Sequence, residues 1–150
     1  MKPSDEFFSG NRYAIFGVKA RGRAHGPVLI AALAKAGKSA VAIEADGAEV
    51  KGAEVYRSLA EAGPVDGVVL LPPTPWDDSS TEFIADAVRQ CKAQGVTRVW
   101  IYTAGDSSAA VSIAEKEGFD PATGCPCLYI LGGGFPHNLH RCIAKFLKQL

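Results

Sequence analysis

The stretch from Arg12 to Gly37 limits the fold more than any other part of the chain. Tyr13-Ala14-Ile15-Phe16-Gly17-Val18 is an apolar run of buried-strand length. A basic, glycine-bearing loop follows: Lys19-Ala20-Arg21-Gly22-Arg23-Ala24-His25-Gly26. Pro27 then opens a helical pattern, Val28-Leu29-Ile30-Ala31-Ala32-Leu33-Ala34-Lys35-Ala36, which Gly37 stops. Proline in the first turn and glycine just past the end are the usual helix punctuation. Strand, glycine loop and helix in that order aim free backbone N–H groups and a helix N-terminus at an anion. The stretch reads as a phosphate cradle, with a solvated turn as the alternative. Gly17, Gly22 and Gly26 are too widely spaced for G-x-G-x-x-G, and no P-loop motif is present.

The alternation continues along the chain. Ser39-Ala40-Val41-Ala42-Ile43-Glu44 is a second strand ending in acid, and Val68 to Leu71 a third, stopped by Pro72-Pro73-Thr74-Pro75. Val99-Trp100-Ile101-Tyr102 is a fourth, and a weaker fifth is predicted from Cys127 to Leu131. Tyr56 to Ala62 is at most a short helix. Ser79 and Ser80 are cap candidates for a helix with Phe83, Ile84, Ala87, Val88 and Cys91 on one face. Ser107 to Glu117 is another helix. A last one begins near Pro136, its stripe of Leu139, Ile143, Phe146, Leu147 and Leu150 serving core packing or a homodimer interface. Before the first strand, residues 1–11 form a lead-in with Phe7 and Phe8 tucked against the body.

Strands that are continuously apolar, rather than alternating, belong to a parallel sheet covered on both faces. The expected fold is α/β: a Rossmann-like three-layer arrangement with a mostly parallel five-stranded sheet and an added C-terminal helix. Residues 1–150 are expected to form a single domain. Its ligand site would lie beyond the carboxyl ends of the strands, at the switch point beside strand one.

Charge and hydropathy narrow the partners. Sixteen basic and sixteen acidic side chains cancel, so the overall basic footprint of a nucleic-acid binder is absent. No apolar run approaches bilayer-spanning length, and Met1-Lys2-Pro3-Ser4-Asp5-Glu6 leads into no signal-peptide core. Cytoplasm is the expected compartment, with Cys91, Cys125, Cys127 and Cys142 reduced. A small nucleotide ligand is expected, and neither nucleic acid nor membrane.

Several segments line up in order and spacing: Gly17 after strand one; Gly52-Ala53-Glu54-Val55-Tyr56-Arg57-Ser58-Leu59 before Val65-Asp66; Val99-Trp100-Ile101 with Gly105; an Ala-rich helix from Ser108 to Gly118; and Cys125-Pro126. From Arg12 to Leu128 this layout resembles the small stand-alone CoA-binding proteins, related to the CoA-binding domain of succinyl-CoA synthetase alpha subunits. The resemblance implies a Rossmann-like domain that binds CoA or an acyl-CoA. Two departures stand out. Val18 and Lys19 replace the small residue and serine common in that family, and Glu44-Ala45-Asp46 replaces an Asn-Pro-Lys-like end to strand two.

The candidate ligand-binding residues follow. Gly17, Val18, Lys19, Arg21, Arg23 and Gly26 would hold a pyrophosphate, the cations through charge-assisted hydrogen bonds. Glu44 and Asp46 would repel the ribose phosphate of CoA unless a basic group intervened. They suit instead the free ribose diol of NAD, so an NAD-type or other nucleotide-dependent enzyme is one alternative. Pro72 and Pro73, with Thr74 and Trp76, would rim the crevice, Trp76 offering a flat face to an adenine. Thr103, Gly105 and Ser107 would face the pantetheine or nicotinamide side. Gly132-Gly133-Gly134 is either a second anion site or a tight connection.

A further alternative is a metal or redox module on Cys125, Cys127, His137, His140 and Cys142. The C-x-C spacing is not that of a zinc knuckle, and no metal is expected. There is no G-x-S-x-G elbow and no evident nucleophile–base pair. The sequence reading is thus a CoA-binding or acyl-CoA-binding module without an evident catalytic set.

Overall fold

The computed structural model describes residues 6–18, 25–73, 76–102 and 108–124. The elements in order are β1 (Arg12–Phe16), α1 (His25–Lys35), β2 (Ser39–Ile43), β3 (Glu54–Tyr56), α2 (Leu59–Ala62), β4 (Gly67–Leu70), α3 (Asp78–Ala93), β5 (Val99–Tyr102), α4 (Ser108–Lys116) and β6 (Ala122–Gly124). Among the described residues the sheet has six strands in the order β3-β2-β1-β4-β5-β6, and every pairing is parallel.

Six strands replace the expected five because each edge of the sheet carries a strand of only three residues, β3 and β6. Glu54-Val55-Tyr56 is exposed or half-buried along its length and so leaves no apolar run to read. The strand expected from Cys127 to Leu131 and the final helix lie outside the described residues.

Side-chain alternation explains the continuous apolar runs. Tyr13 and Ile15 point into one core with Leu29, Leu33 and Trp100, whereas Ala14 and Phe16 point into the other with Ile84, Val88 and Ile101. Both faces are covered, α1 on the first and α2, α3 and α4 on the second. That division follows from the strand order. Right-handed crossovers put helices on opposite faces once the order reverses, here between β1 and β4.

Helix α3 is anchored by Asp77 rather than by either serine. The Asp77 carboxylate accepts from the Ser80 N–H at 3.1 Å, and the Ser80 hydroxyl accepts from the Asp77 N–H at 3.0 Å. This reciprocal box satisfies two donors that a helix start leaves open. Ser80 is wholly buried as a result, beside Ile84, Ala87, Val88 and Cys91 on the expected face. Cys91 has a thiol that burial pushes up to about 12, which keeps it protonated and inert.

The lead-in packs as the sequence indicates. Phe7 and Phe8 are buried against Tyr13 and Trp100. The Tyr13 hydroxyl donates to the Phe7 carbonyl at 3.0 Å and accepts from the Gly10 N–H at 2.7 Å. Burial raises its pKa above the ordinary tyrosine value. Asp66 closes this end by accepting from the N–H groups of Asn11 at 2.7 Å and Arg12 at 2.9 Å.

Those two bonds hold the Asp66 carboxyl below its ordinary value. A lowered folded-state pKa contributes stability that is present above the unfolded value and lost as pH falls through the folded one. Asp66→Asn is therefore expected to be less stable near neutrality and to show a shallower loss in acid. Urea midpoints across the acid range test this, and superimposable acid limbs would refute it.

Candidate functional site

The register aligns the carboxyl ends of the four central and left-hand strands. Phe16 of β1 stands level with Ile43 of β2 and Leu70 of β4, and Ile43 stands level with Tyr56 of β3. The residues that follow, Gly17, Glu44, Leu71 and Arg57, therefore leave the sheet side by side. At the reversal between β1 and β4 the flanking connections diverge to opposite faces, which is where doubly wound sheets place their ligand crevice.

Two glycines shape the corner. Gly17 has φ +91°, and a Cβ there would lie 2.3 Å from the Leu71 carbonyl oxygen. Only a residue without a side chain lets the chain leave β1 so close to the end of β4. At Gly26, a Cβ would meet the Val18 backbone and side chain at 2.7 Å. Gly26 thus lets the first turn of α1 rest on Val18, itself buried at 5 % exposure. The outcome is a helix N-terminus held against the end of the first strand.

The chemistry of that terminus suits an anion. The first turn of α1 carries no acidic residue. N–H groups at a helix start have no partner within the helix, and the helix dipole adds partial positive charge. α1 begins at His25 rather than at Pro27, so Pro27 lies inside the first turn and contributes no N–H to that set.

Beside the corner, Glu44 is half-buried, and its backbone N–H donates to the Tyr56 carbonyl at 2.9 Å. Asp46 is exposed, and its Oδ1 accepts from the Ala48 N–H at 2.9 Å. One of its oxygens thus serves the turn after β2. Pro72 and Pro73 are half-buried and follow Leu71, whose N–H donates to the Phe16 carbonyl at 2.9 Å. They continue from β4 beside the departure of β1. Trp76 packs instead against the core on the α3 side, together with Phe83.

The structure thus brings Gly17, Val18 and Gly26 together at one corner and sets Glu44, Asp46, Pro72 and Pro73 on adjoining strand ends. Lys19, Arg21, Arg23, Thr103, Gly105 and Ser107 lie outside the described residues. So do Thr74, Cys125, Cys127, Gly132, Gly133, Gly134, His137, His140 and Cys142. Among the described residues, no group of three or more His, Cys, Asp or Glu side chains could hold a metal ion. Nor is any helix among them long and apolar enough to cross a membrane.

Arg57 was not among the residues singled out from sequence. It leaves β3 level with Glu44, and its guanidinium lies against Gly47, where a Cβ would be 3.0–3.1 Å away. The only sequence signal is one basic residue directly after a strand too short to recognise.

A doubly wound parallel sheet with a helix start packed at its reversal point is an architecture that recurs among nucleotide-binding domains. Within that class the chain belongs to the CoA binding domain family, whose model matches residues 11–131. Among curated proteins, none matches the chain. Solved structures share the fold. A conserved hypothetical protein from Pyrococcus furiosus is 18% identical with a TM-score of 0.57, over 76% of this chain and 93% of its own. A hypothetical protein from Pyrococcus horikoshii OT3 is 17% identical with a TM-score of 0.62, over 86% and 89% respectively. Prb, a protein redesigned for binding, is also 17% identical, with a TM-score of 0.63 over 91% and 97%.

Proposed function

We propose that the chain is a binding module for CoA or an acyl-CoA, with residues 1–150 acting as one unit. The observation that carries this reading is the corner built by Gly17, Val18 and Gly26. A diphosphate there would meet the N–H groups opening α1, with Lys19, Arg21 and Arg23 supplying charge from the intervening loop. The ends of β2 and β3 would face the adenosine. Pro72 and Pro73 would border the diphosphate, and Thr103 and Gly105 would face the pantetheine arm.

Such a group would suit the corner, because close packing there leaves no room for a side chain at Gly17 or Gly26. A dinucleotide of the NAD type would use the same corner but would need Glu44 or Asp46 for its ribose diol. Asp46 already has one oxygen committed to its own turn, and a guanidinium lies over that turn. Both facts favour CoA over NAD.

Calorimetric titration with CoA, acetyl-CoA, NAD and ADP tests the proposal on the parent chain and on Arg21→Glu and Arg23→Glu. CoA is expected to bind more tightly than NAD. Each reversal should weaken it by about tenfold or more, the scale of one lost charge-assisted hydrogen bond. Affinities that ignore both reversals, or NAD binding above CoA, would sink the assignment.

A further inference from the structure

The acidic end of strand two poses a question of specificity. Glu44 and Asp46 stand where a ribose would lie, and two carboxylates repel a phosphorylated ribose. The structure supplies a counter-charge from the neighbouring strand. Ile43 and Tyr56 pair in register, so Arg57 departs β3 level with Glu44. Its side chain lies against the turn that follows β2, and Nη1 approaches the Ala45 carbonyl at 3.4 Å. Nε, Cζ and Nη2 lie 3.0–3.1 Å from where a Gly47 side chain would begin. The missing side chain leaves room for the guanidinium to lie against the turn.

That guanidinium has donors to spare. The Ala45 contact is long, and among the described residues no carboxylate forms an ion pair with Arg57. The two nearest acids in sequence are engaged otherwise: Glu54 Oε2 pairs with Arg12 at 3.5 Å and accepts from the Tyr56 hydroxyl at 2.9 Å, and Glu61 Oε2 accepts from the Arg57 backbone N–H at 3.1 Å. Asp46 is committed in part to the Ala48 N–H. Arg57 is exposed, so its free face is open to a ligand. A planar fork of N–H donors matches the oxygens of a phosphate in a way a carboxylate turn does not. From the end of β1 to the end of β3 is about 10 Å, two strand spacings. An arginine lying against the turn after β2, together with one ribose, covers that interval.

We propose that Arg57 is the specificity-determining residue of the nucleotide site and reads a phosphate monoester on the ribose of the ligand. The inference rests on the nucleotide-binding reading above. It also accounts for the acidic turn: with Arg57 present, a ribose phosphate gains a bidentate partner.

The test compares ligands that differ by that phosphate alone: CoA with 3′-dephospho-CoA, and NADP with NAD. Each is titrated calorimetrically into the parent chain, Arg57→Gln and Arg57→Lys. CoA is expected to exceed dephospho-CoA by about tenfold or more, the worth of a bidentate charged contact. Arg57→Gln should erase the difference and leave dephospho-CoA unchanged, with Arg57→Lys in between. If instead only NADP exceeds NAD, and Arg57→Gln erases that difference, Arg57 reads a 2′-phosphate and the CoA reading fails alone. A parent chain indifferent to the phosphate, a preference that survives Arg57→Gln, or equal losses for both members of a pair would overturn the role of Arg57. Binding of none of the four ligands would overturn both readings together.

Discussion

A Gly17→Val chain is expected to lose about 2–4 kcal/mol of stability and all measurable CoA binding. Two costs combine at this position. The backbone sits at φ +91°, where a β-branched residue is strained, and the new side chain would start 2.3 Å from the Leu71 carbonyl oxygen. Leu71 is held by its own N–H bond to the Phe16 carbonyl at 2.9 Å, so the clash cannot be relieved without opening the β1–β4 pair. Gly37 is the control. It has φ +75° but nothing within 4 Å of where a side chain would begin, so Gly37→Ala should cost only about 1 kcal/mol and leave binding intact. Denaturant unfolding and CoA titration of both variants separate the effects. Equal destabilisation of the two would show that the close approach at Gly17 contributes nothing.

Trp100→Ala should be the most damaging substitution in the core, at about 3–5 kcal/mol. Trp100 is wholly buried, with ring centroids 5.3 Å from Phe7 and 5.5 Å from Phe8. Its indole N–H donates to the Gly124 carbonyl at 3.0 Å and so fastens the edge strand β6 to β5. Removing the ring leaves a cavity between the lead-in and the sheet and frees that edge. Trp100→Phe keeps most of the packing and loses the hydrogen bond, for about 1 kcal/mol. Urea midpoints measured at matched slopes are the readout. An alanine variant within about 1 kcal/mol of the parent would mean the lead-in does not pack on the sheet.

How far the sequence reached depended on burial. The central strands were legible because both faces of a parallel sheet are covered, leaving uninterrupted runs such as Val68-Val69-Leu70. The lead-in was legible for the same reason, since two adjacent phenylalanines have few other places to go. The edge strands were not. Glu54-Val55-Tyr56 and Ala122-Thr123-Gly124 hold their places by pairing with β2 and β5, and backbone hydrogen bonds leave no mark in side-chain composition. The α3 cap was missed by two or three residues because aspartate and serine are close competitors there. Tertiary context made Asp77 the cap and Ser80 its reciprocal partner.

The candidate site divides in the same way. Glycines after a strand and a proline in the first turn of a helix are local signals, so Gly17, Gly26 and a helix starting near Pro27 could be read along the chain. Arg57 could not. Its place beside Glu44 and Asp46 depends on β3 existing and on the register that sets Tyr56 level with Ile43. From its sequence alone this protein was bound to form an alternating α/β chain with a helix N-terminus at the end of its first strand. Hydrophobic periodicity and turn chemistry are properties of neighbours in sequence. Which strands stand at the edges, which carboxylates meet a cation, and how near Gly17 comes to Leu71 were decided only by the fold, because each depends on residues distant in sequence meeting across the sheet.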